Sequence, residues 1–192
     1  MTLEFTRPSR ADLAAAAGRR IPDILKPHLD FVFCGINPGL YSAATGHHFA
    51  RPGNRFWPAL HAGGFTGRLL RPCEDRLLPG WGSGLTNLVG RATAGAAELS
   101  KAELIEGLSE LEKKIRIYRP RWLAVLGIGA FRTAFQRPRA SLGRQEGGFA
   151  GASVWVLPNP SGLNAHHQPD QLAAAFRALR RATVSGSRGT AP

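Results

Sequence analysis

Two short loops carry the residues best suited to chemistry. The first is Gly-Ile-Asn-Pro-Gly at 35–39, and the second is Asn-Pro-Ser-Gly-Leu at 159–163. Pro38 fixes its own φ and Gly39 permits a positive φ, so the first turn can hold the Asn37 amide in one orientation. That amide can hold a water through its oxygen and can donate through its NH2 group, but it does not ionise. The alternative is an ordinary β-turn in which Asn37 caps the backbone.

Aromatic and histidine side chains follow the first loop. Phe49 lies in a polar, glycine-containing stretch, where an aromatic ring can stack on a nucleobase. The alternative is that its ring plugs the core beneath the loop. The pairs His47-His48 and His166-His167 could suggest a metal site, but adjacent histidines diverge on regular elements and no spaced Cys or His supports them. We therefore expect no metal, and phosphate contact or simple exposure for these histidines.

The second loop is stiff, because it contains two prolines and a glycine. Leu163 then stands in a polar stretch, where an exposed apolar side chain could wedge into a base stack. The alternative is that Leu163 folds back onto the core. Ser161 and the nearby backbone N–H groups suit contact with a phosphate.

The composition permits a nucleic-acid partner. The chain has 25 Lys and Arg against 13 Asp and Glu, a formal net charge of +12, although an arginine-rich surface tuned for solubility would give the same count. Cys34 and Cys73 belong to no C-x-x-C pair, which argues against a zinc site or a four-cysteine iron–sulfur cluster. No apolar run is long enough for a transmembrane helix, and no signal peptide is evident.

Apolar runs typical of buried strands alternate with amphipathic helical stretches. Strands are predicted at 31–36, 85–89, 122–126 and 153–157, and helices at 54–62, 100–118, 128–135 and from 169 onward. The clearest helix begins at an S-x-x-E capping box, Ser100 and Glu103, and ends before Pro120. Residues 143–151 are predicted to form a glycine-rich loop.

This alternation favours a mostly parallel sheet covered on both faces. We predict an α/β fold, a three-layer α/β/α sandwich around a central, mostly parallel four-stranded sheet. Ligands bind such sheets at the carboxyl ends of strands, and both loops follow predicted strands, so both should face one cleft. Residues 1–20 are expected to be a loosely ordered arm with a short helix at 11–17. Residues 21–183 should form a single domain, and 184–192 a disordered tail.

Together these motifs resemble the mismatch-specific uracil/thymine-DNA glycosylase family. The matching stretches are the two loops, residues 46–57, and Gly-Leu-Thr-Asn-Leu-Val at 84–89, in the same order and spacing; the resemblance covers about residues 29–182. The two loops are highly specific as a pair. The resemblance implies the three-layer fold of the uracil-DNA glycosylase superfamily and a monofunctional reaction. In that reaction a nucleotide is flipped out of the duplex, and water displaces its base from C1′ to leave an abasic site.

The resemblance also assigns roles at the reacting base. Asn37 would position the attacking water, the Phe49 ring would stack on the flipped base, and the main chain of Ile36 and Phe49 would bond the pyrimidine edge. Relatives with fast uracil excision resemble one another in having an aspartate in the first loop and a histidine in the second. Asn37 and Asn159 occupy those places here, so slow chemistry that depends on the leaving group and the mismatch is expected.

Two pocket residues bear on the choice of base. By resemblance, Ser42 falls where the pocket meets C5 of the pyrimidine and suits uracil better than thymine. Asn87 falls where thymine-active relatives also carry asparagine, so thymine activity is left open. Gly90 departs from the pattern, because some relatives have an acidic residue there.

The second loop is assigned to the duplex itself. By resemblance, Leu163 fills the gap left in the stack, and Gly162 with its neighbours touches the widowed guanine. Some relatives place an arginine shortly after the wedge leucine, whereas this chain has Asn-Ala-His at 164–166. That departure puts the contacts with the opposite strand in question.

The sequence therefore predicts a glycosylase that removes uracil from G·U mismatches in double-stranded DNA and so initiates base-excision repair. Thymine and modified pyrimidines are further candidate substrates. No cofactor, metal or membrane is expected, and the protein is predicted to be a cytoplasmic monomer, associated with the nucleoid if bacterial. The alternatives are a mismatch-sensing DNA-binding protein with little catalysis and a small-nucleotide hydrolase.

Overall fold

The computed structural model describes residues 7–162 and 167–185, without the side chains of the last two residues. The strands are β1 (Phe31–Gly35), β2 (Ser83–Asn87), β3 (Trp122–Leu126), β4 (Gly143–Phe149) and β5 (Ala152–Leu157). The helices are α1 (Arg10–Ala15), α2 (Leu40–Thr45), α3 (Phe56–Ala62), α4 (Lys101–Tyr118), α5 (Ile128–Ala134) and α6 (Pro169–Ser185), with 3-10 segments at Pro72–Trp81 and Ala96–Glu98.

One five-stranded sheet runs in the order β2-β1-β3-β5-β4. The pairs β1–β2, β1–β3 and β3–β5 are parallel, and β4 pairs antiparallel with β5 at the edge. The carboxyl ends of β1, β2 and β5 therefore lie along the same edge of the sheet. The loops that follow these three strands are the ones that carry the predicted site residues.

Each face of the sheet has its own core. Successive β1 side chains alternate between the faces: Phe31 and Phe33 lie in one cluster, and Val32 and Cys34 in the other. The first cluster includes residues of α3 and α6, and the second includes residues of α4 and α5. The three-layer α/β/α architecture with a mostly parallel sheet is confirmed.

The strand count of four is wrong, because residues 143–149 form β4 rather than a loop. Gly143 pairs with Val156 and Arg144 with Trp155, and the register then shifts between Gln145 and Phe149. Four glycines between 143 and 151 have positive φ and produce this irregular edge. A strand built this way has no alternation of apolar and polar residues to identify it.

The capping box predicted for α4 is confirmed. The Ser100 hydroxyl accepts from the N–H of Glu103, and the Glu103 carboxylate accepts from the N–H of Ser100 at 2.9 Å. The last helix begins at Pro169, as predicted. None of the helices within the described ranges is long and apolar enough to cross a membrane.

The segment before β1 includes the expected short helix and continues into the core. Ala16, which follows α1, is fully buried and packs with Ile21, Ala43 and Ala92. The N–H of Gly18 donates to the carbonyl of Ala92 at 2.9 Å, and the N–H of Ala92 donates back to residue 19 at 2.8 Å. Residues 16–21 are therefore packed against the domain. The rest of the predicted arm, residues 1–6, and the predicted tail beyond 185 lie outside the described residues.

Candidate active site

The amide of Asn37 is held in one orientation. Its Nδ2 atom donates to Thr93 Oγ1 at 2.7 Å, to the Arg91 carbonyl at 3.0 Å and to the Pro38 carbonyl at 3.2 Å. The Thr93 hydroxyl donates its own hydrogen to the carbonyl of Gly95 at 2.9 Å. All three neighbours therefore present lone pairs to Asn37, so the group that faces them must be NH2 and not the amide oxygen.

The hydrogen bonds of Asn37 include one local bond and two long-range bonds. The bond to Pro38 is the local backbone contact of an ordinary turn, whereas the bonds to Arg91 and Thr93 connect residues more than fifty positions apart. Oδ1, at the other side of the planar amide, accepts no hydrogen bond from the described residues. That oxygen is the atom able to hold a water molecule.

The strand-like segment around Thr93 holds the first loop in place. The N–H of Thr93 donates to the carbonyl of Pro38 at 3.1 Å, and the N–H of Leu40 donates to the carbonyl of Thr93 at 3.2 Å. Thr93 is itself only 2% exposed. These main-chain bonds fix the position of the loop, and the side-chain bonds fix its asparagine.

The predicted site residues converge on one cavity of about 140 Å³ at the carboxyl edge of the sheet. It is lined by seven of them: Ile36, Asn37, Ser42, Phe49, Asn87, Asn159 and Ser161. The sequence had not singled out several of the other lining residues, among them Ile21, Arg51, Asn54 and Thr93. The cavity lies between the first loop, the second loop and the ends of β1 and β2.

The Phe49 side chain packs against the core and also lines the cavity. Its ring stacks on Phe56 at a centroid distance of 4.0 Å and an angle of 22°, and it lines the cavity. Its φ of +54° is in the left-handed region, which is unfavourable for a residue with a Cβ. The main-chain groups beside it are already bonded, because the His48 carbonyl accepts from Trp57 Nε1 and the N–H of Ala50 donates to Ser42 Oγ.

Asn87 ends β2 and is 7% exposed. Its amide lines the cavity and has no hydrogen bond to any other part of the chain that the structure describes. A buried amide in this state is a candidate for binding a polar ligand, since burial without a partner is costly. Gly35 makes room for it: a Cβ at Gly35 would lie 2.6 Å from Asn87 Oδ1 and 3.3 Å from the tip of the Phe49 ring.

The main-chain groups of the predicted site are partly engaged within the protein. The Ile36 carbonyl accepts from the N–H of Val89 at 2.9 Å. In the second loop, the N–H of Ser161 donates to Asn159 Oδ1 at 3.0 Å. The Ser161 N–H predicted for phosphate is therefore already used, and it stiffens the turn.

Arg55 joins the second loop to the segment before α3. Its guanidinium donates to the carbonyls of Ser161 at 2.6 Å and His167 at 2.5 Å, and its N–H donates to the carbonyl of Pro160 at 3.0 Å. Gly162 packs so closely that a Cβ there would lie 2.6 Å from the Gly53 carbonyl oxygen. These contacts place the start of the second loop beside residues 51–55, at the rim of the cavity.

Residues 163–166, including the predicted wedge Leu163 and His166, lie outside the described residues. Within the described ranges, no cluster of His, Cys, Asp or Glu could hold a metal ion.

The exposure or phosphate contact expected for His48 is wrong. His48 is only 2% exposed, its Nε2 lies 3.0 Å from the Pro22 carbonyl, and its N–H donates to Asp75 at 3.0 Å. Burial lowers the pKa of the His48 ring, so Nε2–H of the neutral ring is the donor to Pro22. The partly exposed His47 ring lies 3.3 Å from Asp75. The two histidines therefore fix the chain beneath the cavity.

No sequence motif indicated the roles of Thr93, Arg91 and Arg55. Their contacts with the two loops span between 54 and 106 positions along the chain. Bonds over such distances have no local periodicity. The only hint was that Arg55 belongs to the matched stretch 46–57.

The fold and the position of this cavity define an α/β protein with a candidate ligand site at the carboxyl edge of a mostly parallel sheet. The family model described as "Uracil DNA glycosylase superfamily" matches residues 22–180 of the chain. The chain therefore belongs to the uracil DNA glycosylase superfamily, whose members are hydrolases that act on DNA. The chain is also similar to a solution structure of a candidate uracil DNA glycosylase from Methanosarcina acetivorans. That comparison gives 21% identity and a TM-score of 0.47, over 85% of this chain and 98% of the other.

Proposed function

We propose that this protein is a monofunctional glycosylase that removes uracil from G·U mismatches in duplex DNA and so initiates base-excision repair. Membership in the superfamily supports uracil excision from DNA. The preference for mismatches rests on the chemistry of the site. The observation that carries it is the Asn37 amide, whose NH2 group is fixed by three acceptors so that Oδ1 is left for a water.

An amide at this position can orient water but cannot take its proton. In the proposed reaction, the water oxygen forms a bond to C1′ of the deoxyribose, and the C1′–N1 bond breaks with its electron pair moving to uracil. The water's proton passes to solvent. Because no ionised base assists, the rate depends on the leaving group and on how easily the nucleotide leaves the stack. Uracil opposite guanine satisfies both conditions, since a mismatched base is cheaper to flip.

The walls of the cavity suit a flipped pyrimidine. The Phe49 ring, held flat by Phe56, offers a stacking surface. The Asn87 amide lines the same cavity, where its polar atoms can hydrogen-bond to the edge of the base. Ser42 also lines this cavity. We propose that these groups recognise uracil; thymine activity depends on whether a methyl at C5 fits beside Ser42.

The remaining assignments stay predictions. Leu163 is proposed to fill the gap left by the flipped base, with Gly162 and Ser161 at the DNA backbone. Leu163→Ala is expected to weaken retention of the abasic product markedly while lowering the free energy of unfolding only a little. The monomeric state and the cytoplasmic location, with nucleoid association if the protein is bacterial, are likewise proposed.

A panel of labelled duplexes tests the function. The protein, at stoichiometric concentration, is incubated with duplexes that contain G·U, G·T, A·U or only matched pairs, and abasic sites are then cleaved with alkali. We expect cleavage at G·U well above A·U. An Asn37→Ala variant prepared in parallel should bind the G·U duplex but lose most turnover, which also excludes a contaminating glycosylase as the source of product.

The outcomes separate the alternatives. No release of uracil from G·U would overturn the enzyme assignment, and tight G·U binding in that case would identify a mismatch-sensing protein. Equal rates on G·U and A·U would keep the glycosylase and remove the mismatch preference. Undiminished turnover by Asn37→Ala would show that another group positions the water.

A further inference from the structure

A second cleft, of about 520 Å³, adjoins the candidate active site. It lies between α1 with the residues before it and the loop that follows Phe49. Its lining residues are Arg7, Pro8, Arg10, Leu13, Tyr41, Arg51 and Pro52. We call the positive surface formed by Arg7, Arg10 and Arg51 the arm patch.

The arm patch carries an uncompensated positive charge. All three arginines are exposed, and the described residues include no ion pair to any of them. The one acidic residue of α1 is Asp12, whose carboxylate accepts from the N–H and the hydroxyl of Ser9 at the start of the helix. These bonds hold the pKa of Asp12 below its ordinary value, so its carboxylate stays ionised in the capping box with Ser9.

The described part of the arm is attached to the domain. Ala16, at the end of α1, is fully buried, and the main chain of residues 18–19 exchanges two hydrogen bonds with Ala92. Ala92 lies between Arg91 and Thr93, two of the three residues that accept hydrogen bonds from the Asn37 amide. The position of the arm patch is therefore set by the same segment that sets the position of Asn37.

The arm patch is continuous with the proposed DNA-binding edge. Arg51 lines both the active-site cavity and the second cleft. Two residues later, Gly53 is in van der Waals contact with Gly162 at the start of the second loop, which leaves no space there for a Cβ. One surface thus runs from the second loop across residues 51–53 to α1.

We propose that the arm patch binds the phosphate backbone of the duplex beside the flipped nucleotide, so that the N-terminal segment is a second DNA-binding element. Guanidinium groups form paired, charge-assisted hydrogen bonds with phosphate oxygens. A DNA strand that enters the cavity must pass over its rim, and Arg51 at that rim is shared with the arm patch. The proposal rests on the proposed function for its DNA ligand.

The test compares two double variants that lose the same charge. Arg7→Gln with Arg10→Gln removes most of the arm patch and spares the residues of the active-site cavity. Lys26→Gln with Arg119→Gln removes two charges near the amino ends of β1 and β3, at the opposite edge of the sheet. Binding of each protein to a G·U duplex is measured by fluorescence anisotropy over a range of salt concentrations, and uracil release is measured in single turnovers with saturating enzyme.

Each phosphate contact contributes about 0.9 to the slope of log K against log salt. The arm variant should therefore lose roughly 2 from this slope and bind more weakly at low salt, while its single-turnover rate at saturation stays that of the native protein. The control variant should keep the native slope. Equal slopes for the two double variants would overturn the proposal.

The two proposals can fail separately. If the native protein binds duplex but releases no uracil, the function is wrong, and a lower slope for the arm variant still supports the arm patch. If uracil is released and the arm variant keeps the native slope, the arm patch is wrong and the glycosylase stands. A lower saturated rate with an unchanged slope would instead show that the arm acts on the active site and not on phosphate.

Discussion

The substitution Asn37→Asp tests whether the first-loop site requires an amide or would work as well or better with a carboxylate. An aspartate, the residue that the resemblance gives for relatives with fast uracil excision, would place an ionisable base in the first loop. The contacts of Asn37 predict the opposite result here. The aspartate oxygen that replaces Nδ2 would face Thr93 Oγ1 at 2.7 Å and the carbonyls of Arg91 and Pro38 at 3.0 and 3.2 Å. The two carbonyls have no hydrogen to offer it, and the Thr93 hydroxyl could donate to it only by giving up its bond to the Gly95 carbonyl.

The magnitude follows from the lost donors. The amide NH2 has two hydrogens, and an unpaired acceptor in such a place costs about 1–3 kcal/mol, so Asn37→Asp should lower the free energy of unfolding by roughly 2–4 kcal/mol at neutral pH. The surrounding lone pairs should raise the pKa of the new carboxyl above its ordinary value of about 3.9. Because the pKa of this carboxyl is higher in the folded state than in the unfolded state, ionisation favours unfolding. The part of the stability loss that comes from the charge is therefore absent below pH ~4 and grows as pH rises through the folded-state pKa.

The assay combines urea unfolding from pH 4 to 8 with single-turnover uracil release. We expect the stability deficit of Asn37→Asp to widen with pH, and release to slow by about 100-fold, since a misplaced water-positioning group costs that much. Asn54→Asp is the stability control. Asn54 uses its Oδ1 to accept from the N–H of Phe56 at 2.9 Å, and a carboxylate can accept the same bond. Release by Asn37→Asp at the native rate or faster, with native stability, would refute this reasoning.

Two further substitutions test the surroundings of the cavity. Gly35→Ala places a Cβ 2.6 Å from Asn87 Oδ1 and 3.3 Å from the Phe49 ring. This crowding should lower the free energy of unfolding, measured with urea, by about 1–3 kcal/mol and should slow uracil release. Unchanged release would show that these side chains can move freely. Glu103→Gln removes the carboxylate whose pKa is lowered from 4.5 to about 2, chiefly by its bond to the Arg91 side chain. The native protein should therefore lose stability relative to this variant as pH falls from 4.5 to 2, and a constant difference across that range would contradict the ion pair.

The parts of the fold that the sequence predicted are those with strong local signals. β3 was predicted with its observed bounds because five consecutive apolar residues, Trp122–Leu126, are buried from both sides. α4 was predicted because its cap and its apolar stripe agree. β4 was missed because its stability comes from pairing with β5, while its glycines suggest a turn. Tertiary pairing here outweighs local propensity.

The attachment of the arm was missed for a related reason. The contacts of Ala16 with Ala43 and Ala92 join three small residues that lie far apart in the sequence. An alanine-rich stretch has little apolar area of its own, so it suggests loose attachment unless its partners are known. In the same way, the roles of Asn37 and Phe49 could be proposed from their loops, but the acceptors that orient Asn37 come from a segment that carries no motif of its own.

Phe49 shows why a structural and a functional interpretation need not compete. A left-handed φ at a residue with a Cβ costs on the order of 1–2 kcal/mol, and stacking on Phe56 at 4.0 Å offsets part of that cost. The same contact fixes the plane of the ring where it lines the cavity, so a base that stacks there does not have to order a mobile side chain. A ring held only by solvent-exposed loop contacts would lose that advantage. The core packing of Phe49 is therefore the condition for its proposed role and not an alternative to it.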